Sequence, residues 1–270
     1  MELVVDGPHG RQRAYAYSGG MAFDPALPVL VLIHGALHDH SVWTLLARWF
    51  AHHGRAVLAP DLPGHARSAG PPLESVEALA AWLLALLDGA GVGRAALAGH
   101  SMGALIALEA AARAPERIER LVLLGAAYPL SVSAALLETA RSAPLRAIDM
   151  VNAYSHSTFA AKPSFPGPGA SLHGTNRALM RRVQAGQAET NLFLTDFEVC
   201  NRYAGGLEAA HRVACPVGLI VGERDQMAAP KQAIELGKLL RADVTRVAAG
   251  HALMAEAPDA VLAALRRALD

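Results

Sequence analysis

The sequence predicts an α/β protein: a mostly parallel, doubly wound sheet with a helical insertion after its sixth strand. Three observations carry that prediction. Short apolar runs bounded by Gly or Pro alternate with longer stretches of helical spacing. The connections between them are short, as in βαβ units. The alternation stops after Ala126 and resumes near residue 212.

The chain opens with two strands, "ELVVD" and "RAYAYSG", joined by the turn-forming "GPHG". "PVLVLIHG", residues 28–35, is a continuous apolar run with a Pro start and a Gly stop, the pattern of a strand buried on both faces. "SVWTLLARWFAHH" has helical spacing, with Ser41 as its N-cap and Gly54 as its stop. "RAVLAPDLPG" is the next buried strand. "SVEALAAWLLALLDGAG" is a helix begun by Ser75 and ended by glycines. There follow the strand "RAALAGHS", the helix "MGALIALEAAARAP" stopped by Pro115, and the strand "IERLVLLGA". Residues 127–211 hold helical patches and the loop "AKPSFPGPGASLHG", without a buried-strand run. They are expected to form a helical lid over the carboxyl edge of the sheet, with 1–126 and 212–270 as the core. The alternation closes with "CPVGLIVGERD", a helix near 230–240, "DVTRVAAG" and the helix "PDAVLAALRRAL".

Composition narrows the function. Of the 270 residues, 53% are apolar, enough for a large core. Lys+Arg and Asp+Glu balance at 24 each, so no basic surface marks a nucleic-acid partner. No apolar run reaches bilayer length, and "MELVVDGPHG" lacks the basic start and apolar stretch of a signal peptide. Cys200 and Cys215 form neither a disulfide framework nor a CxxC pair. The expectation is a reduced, soluble, cytoplasmic protein, monomer or homodimer, whose partner is a small molecule.

The chemistry centres on "AGHSMGA", where Ser101 lies between Gly99 and Gly103 at a strand-to-helix turn. Flanking glycines let a serine adopt a strained turn that lifts its hydroxyl above the sheet, at the positive end of a helix. The plainer reading is an N-cap serine after a glycine turn. A serine nucleophile needs a histidine base oriented by a carboxylate. His251, in "VAAGHALMAEAPD", follows the last predicted strand; Asp225, in "GERDQMAAP", follows the one before it, with Glu223 as its rival on the same loop. No carboxylate follows "LVLLG", which favours Asp225. A second oxyanion donor is expected after "LIHG", from the N–H of Ala36, alongside that of Met102. Each such donor lowers a barrier by about 2.7–4 kcal/mol.

The segments "VLIHGA", "APDLPGHARS", "AGHSMGA", "VGERDQM" and "AGHALMAEAPD", in this order and spacing, resemble the α/β-hydrolase superfamily, in its lid-bearing serine esterase-like branch. The resemblance covers nearly everything outside 127–211. It implies Ser101 as nucleophile, His251 as general base and then acid, Asp225 as its orienting carboxylate, and Ala36 and Met102 as oxyanion donors. Ala66 stands where the family usually has Gly. Asp61 is read as tying its own loop together, and His34 and His100 as packing residues. The implied reaction is hydrolysis of carboxylic esters, or of lactones or thioesters, of small, moderately apolar substrates through an acyl-enzyme, without a cofactor.

The alternatives are carbon–carbon bond hydrolysis or acyl transfer on the same triad, and a non-catalytic ligand receptor. The family's carbon–carbon hydrolases commonly carry a Trp shortly after the histidine, where this chain has Leu253 and Met254. "HGALHDH" also invites a metal reading through His34, His38, Asp39 and His40; Asp39 and Ser41 fit a helix start better, and no metal is expected. For the substrate wall the candidates are Tyr128, Phe159, Phe193 and Leu253. Tyr154, Phe165 and Phe197 are further aromatics of the insertion with either a pocket or a core to fill.

Overall fold

A computed structural model describes residues 1–7, 10–157, 171–187 and 190–270 of the chain. The described strands are β1 (Glu2–Gly7), β2 (Gly10–Tyr17), β3 (Val29–Ile33), β4 (Ala56–Pro60), β5 (Ala95–His100), β6 (Ile118–Leu124), β7 (Val217–Gly222) and β8 (Asp243–Val247). They form one eight-stranded sheet in the order β1-β2-β4-β3-β5-β6-β7-β8. β1 and β2 pair antiparallel with each other, as do β2 and β4; from β4 to β8 every pairing is parallel. β3, β4, β5 and β7 are buried at every residue because helices cover both faces. β1, with one face in solvent, alternates.

The helices are α1 (Thr44–Ala51), α2 (Val76–Gly89), α3 (Met102–Arg113), α4 (Ala134–Ser142), α5 (Pro144–Ser155), α6 (Leu172–Ala185), α7 (Leu192–Arg202), α8 (Gly206–Arg212), α9 (Pro230–Leu239), α10 (Leu253–Glu256) and α11 (Pro258–Leu269). α2 and α3 join the core on one face of the sheet, and α1, α10 and α11 that on the other. The buried face of α3 is nearly continuous because alanines and glycine keep it slim enough to lie close to the strands. Ser75 caps α2 as expected, accepting from the Ala78 N–H at 3.1 Å. The start of α1 differs from expectation. A short 3-10 turn, His40–Trp43, precedes it, and Asp39 rather than Ser41 is the cap, accepting from the Ser41 N–H at 2.8 Å.

Between β6 and β7 the described residues form helices only, α4 to α8. α4, α5, α6 and α7 pack among themselves, whereas α8 packs chiefly on α3 of the sheet layer. A buried anchor holds this end of the insertion. The Tyr203 hydroxyl donates to Glu109 Oε2 of α3 at 2.7 Å, and Arg113 donates to Glu109 Oε1 at 2.6 Å. Among the described residues no helix is long and apolar enough to cross a membrane. Cys200 and Cys215 are free thiols.

Candidate active site

Ser101 stands where β5 turns into α3, with φ 54° and ψ −117°. A non-glycine residue there carries strain of about 1–3 kcal/mol and persists only if its surroundings dictate it. They do: the Ser101 N–H donates to the Leu124 carbonyl of β6 at 3.0 Å, and the Ser101 carbonyl accepts from the Ala104 N–H at 2.9 Å. The flanking glycines are demanded by contact. A Cβ on Gly99 would lie 2.1 Å from the Gly103 carbonyl oxygen, and one on Gly103 would lie 2.4 Å from that of Ile33. Strand and helix meet backbone to backbone.

His251 sits on the loop between β8 and α10, and Asp225 on the loop after β7. The ring Nδ1 donates to Asp225 Oδ2 at 2.8 Å, and both side chains are buried. Asp225 Oδ1 accepts the N–H groups of Met227 and Ala228, each at 2.8 Å, so the turn that carries the carboxylate also aims it. Glu223 is exposed to solvent. The His251 loop is held on three sides. Its own carbonyl accepts from His100 Nε2 at 2.9 Å, and the Ala252 N–H donates to the Ser155 carbonyl at 2.8 Å. Glu256 accepts from the N–H groups of Gly250, at 3.0 Å, and Ser157, at 3.1 Å.

With Nδ1 committed to Asp225, Nε2 is the ring edge left for chemistry. Ser101 and His251 line one cavity of about 460 Å³, together with Gly35 and Ala36. Within the described residues neither Ser101 Oγ nor His251 Nε2 has a hydrogen-bond partner. The Ala36 and Met102 N–H groups likewise have no acceptor there, Met102 being at the first turn of α3. A second cavity of about 950 Å³ also borders His251, lined by Val42, Leu45, Leu172, Leu179, His38 and Asn176 among others. His251, His100, His38 and Ser155 border both.

The surrounding histidines are fixed by their partners. His34 Nε2 accepts the Leu62 N–H at 3.1 Å, so its proton lies on Nδ1 and is donated to the Gly35 carbonyl at 2.9 Å. Burial pushes the His34 pKa down to about 4, in keeping with a neutral ring. His100 is also lowered well below the usual value by burial, and then by His251. Both rings are committed to backbone partners, His34 to Gly35 and Leu62 and His100 to the His251 carbonyl. Asp61 ties its loop by accepting from the His40 N–H and ring at 2.8 Å each and from the Arg67 N–H at 3.1 Å.

The cluster read from "HGALHDH" does not assemble as written. His38 turns to the Ala36 carbonyl and to Asn176, at 2.8 Å each, and His34 to Gly35 and Leu62. Among the described residues Asp39, His40 and Asp61 instead bring ligand atoms within 4.8 Å of one another. Both carboxylates are already engaged, Asp39 by Ser41 and Arg182 and Asp61 by His40 and Arg67.

The expected substrate wall needs correction. Tyr128 donates its hydroxyl to the Ala204 carbonyl at 2.5 Å and packs against Gly206. Phe193 is wholly buried and stacks on Phe197 with centroids 4.3 Å apart. Leu253 is wholly buried in the core under α11. None of the three lines either cavity, because each satisfies its apolar surface in the protein's own packing. Phe159 and Phe165 lie outside the described residues. The wall beside Ser101 is built instead from Leu130, Val132, Leu136, Val151, Phe197 and Met227.

Two residues escaped sequence reasoning. Asp196 of α7, only 2% exposed, accepts the Leu37 N–H at 2.7 Å and His65 Nε2 at 2.9 Å. His65 Nδ1 faces the Pro63 carbonyl at 3.1 Å, so both ring nitrogens meet acceptors, an arrangement that favours the protonated ring. Burial opposes that charge, but the Asp196 charge and hydrogen bond outweigh it and raise the His65 pKa. The available signal was an acid on the apolar stripe of a helix, Asp196 among Leu192, Phe193, Phe197 and Cys200.

Comparison with known proteins bears on the family and the fold. The profile of the alpha/beta hydrolase family matches residues 30–264. Lipase LipV of Mycobacterium tuberculosis is 38% identical over 114 residues, which are 41% of this chain and 42% of the lipase. The chain thus matches less than half the length of that curated relative. In overall fold it is similar to the enol-lactonase from Burkholderia xenovorans, with a TM-score of 0.83 and 22% identity over 98% of this chain and 99% of the other. It is also similar to a thermophilic esterase from Thermogutta terrifontis, with a TM-score of 0.81 and 18% identity over 99% and 96% of the two chains.

Proposed function

The chain belongs to the alpha/beta hydrolase family, and from that premise we propose that it is a serine hydrolase of small, moderately apolar carboxylic esters, lactones or thioesters. The observation that carries the reading is a single arrangement. Ser101, strained at its turn, shares a cavity with a His251 whose far nitrogen is held by Asp225. In this reading His251 Nε2 takes the Ser101 proton as Oγ bonds to the substrate carbonyl carbon. The oxyanion so formed faces the Ala36 and Met102 N–H groups, which have no acceptor to give up among the described residues. His251 then protonates the departing oxygen or sulfur, and water, activated by the same ring, releases the acid. The hydrogen bond from Ser101 to His251 tightens as the reactants assemble.

The two cavities divide the substrate. The acyl group stays with Ser101 and the Ala36 N–H, hence in the chamber of about 460 Å³ that these two residues line. The leaving group must accept a proton from His251, so it occupies the chamber of about 950 Å³ that reaches His251 but not Ser101. Helices α4 and α7 wall the acyl chamber through Leu136 and Phe197, and in this sense they act as the lid. Short-chain nitrophenyl esters test the reading. Ser101→Ala is expected to lose at least about a thousandfold in kcat/KM, and an unchanged rate would refute it. Across an ester panel, changes in the alcohol are expected to be tolerated over a wider range of size than changes in the acyl group.

A further inference from the structure

The peptide that would present the Ala36 N–H has no regular secondary structure to hold it. It lies just beyond β3, and the next residue, Leu37, has φ 55°, a left-handed backbone on a branched side chain. Its orientation is therefore set by specific contacts. The carbonyl of the Gly35–Ala36 peptide accepts from His34 Nδ1 at 2.9 Å and from the His38 N–H at 3.3 Å. The following peptide is gripped at both ends. Its carbonyl, on Ala36, meets His38 Nδ1 at 2.8 Å, and its N–H, on Leu37, donates to Asp196 Oδ2 at 2.7 Å. Asp196 comes from α7, 159 residues away in sequence, and is buried. It is braced by His65, whose ring is itself held by the Pro63 carbonyl.

We propose that Asp196 is a positioning residue through which the helical insertion sets the direction of the Ala36 N–H. This rests on reading Ala36 as an oxyanion donor. Asp196 does not line the cavity and touches no substrate; it acts on the loop. Without its oxygen the buried Leu37 N–H loses its only acceptor among the described residues, and a left-handed leucine has little reason to stay as it is. The Gly35–Ala36–Leu37 backbone then relaxes, and the donor turns from where charge develops in the transition state. Substrate binding in its ground state depends far less on that direction.

The test compares Asp196→Ala and Asp196→Asn with the parent chain, with rates counted per active site after complete titration by a fluorophosphonate. Counting sites removes any loss that reflects only misfolded protein. Asp196→Ala is expected to lower kcat at least tenfold with KM within threefold. Its affinity for a trifluoromethyl ketone, which binds as an oxyanion, should fall by the same factor as kcat. Asp196→Asn keeps an oxygen for Leu37 and is expected to restore kcat to within about threefold of the parent. If the alanine variant does not fold, Asp196→Ser, too short to reach Leu37, is held to the same criteria. A kcat within threefold of the parent in the truncated variant overturns the proposal, as does a loss confined to KM. Should Ser101→Ala retain activity, the underlying hydrolase reading fails instead. An inactive Ser101→Ala beside an unaffected Asp196→Ala refutes only the role of Asp196.

Discussion

Replacing Gly99 by alanine puts the strand-to-helix turn to its hardest test. The new Cβ would lie 2.1 Å from the Gly103 carbonyl oxygen and 2.4 Å from the Gly103 carbonyl carbon. Real Cβ atoms hardly ever come closer than 3.0 Å to such neighbours, so the gap must open by roughly 0.9 Å. Both partners are backbone, and no side chain is available to swing aside. The shift therefore falls on the start of α3, which carries Ser101 and Met102. A misplacement of about 1 Å at a reacting group costs about a hundredfold, or about 2.7 kcal/mol of barrier. The overpacking should cost a further 1–3 kcal/mol of stability, to order of magnitude. The assay is kcat/KM on a short-chain nitrophenyl ester, beside a thermal melt. Gly93→Ala serves as control, because a Cβ there meets nothing within 4 Å. It should leave kcat/KM unchanged and stability equal or up to about 1 kcal/mol higher. If Gly99→Ala kept kcat/KM within threefold of the parent, the reasoning that ties this contact to the aim of Ser101 would be wrong.

Other outcomes follow from the same structure. Asp225→Asn should lower kcat by about 10⁴-fold, because its amide no longer holds the His251 tautomer, whereas Glu223→Gln on the same loop should stay within twofold; equal effects in one ester assay would refute the assignment. Tyr203→Phe strips Glu109 Oε2 of its hydroxyl donor and should cost about 1–3 kcal/mol, read from the urea midpoint; no change would show the anchor to be idle. Stability should also depend on pH in two senses. His34 and His100 have folded pKa values lowered by burial, so the unfolded chain binds more protons, and stability falls as pH drops from about 6.5 towards about 4. His65 has a raised folded pKa, so its contribution is complete below about 6.5 and is lost as pH rises through the folded value. Urea midpoints against pH should therefore decline on both sides, and His65→Gln should flatten only the alkaline side.

The parts legible in the sequence are those where one local cause acts alone. β3, β4, β5 and β7 read as strands because burial on both faces leaves room only for apolar or small residues. Ser101 stood out because two backbones collide unless its flanks are glycine. Asp225 and His251 were legible because each lies on the loop a few residues beyond a sheet strand. What stayed hidden depends on contacts between distant segments. An aromatic residue in the insertion looks alike whether it walls a cavity, as Phe197 does, or fills a core, as Phe193 does. Asp196 has no motif at all, and its partners Leu37 and His65 come from two loops far upstream. Ahead of α1, Ser41 and Asp39 are both good caps by type, and it is the acid that caps the 3-10 turn His40–Trp43.

The grip of Glu256 on two amides at once has a practical corollary for protein engineering. One carboxylate fastens the segment bearing His251, through Gly250, to the tail of α5, through Ser157. Anyone grafting a foreign cap onto this scaffold to alter its selectivity would exchange one half of that clasp along with the cavity wall. A successful chimera must therefore retain the parent residues from Ser155 to Ser157, or supply an amide at the same point; otherwise it will change the cavity wall and slacken the loop that carries His251 in a single step.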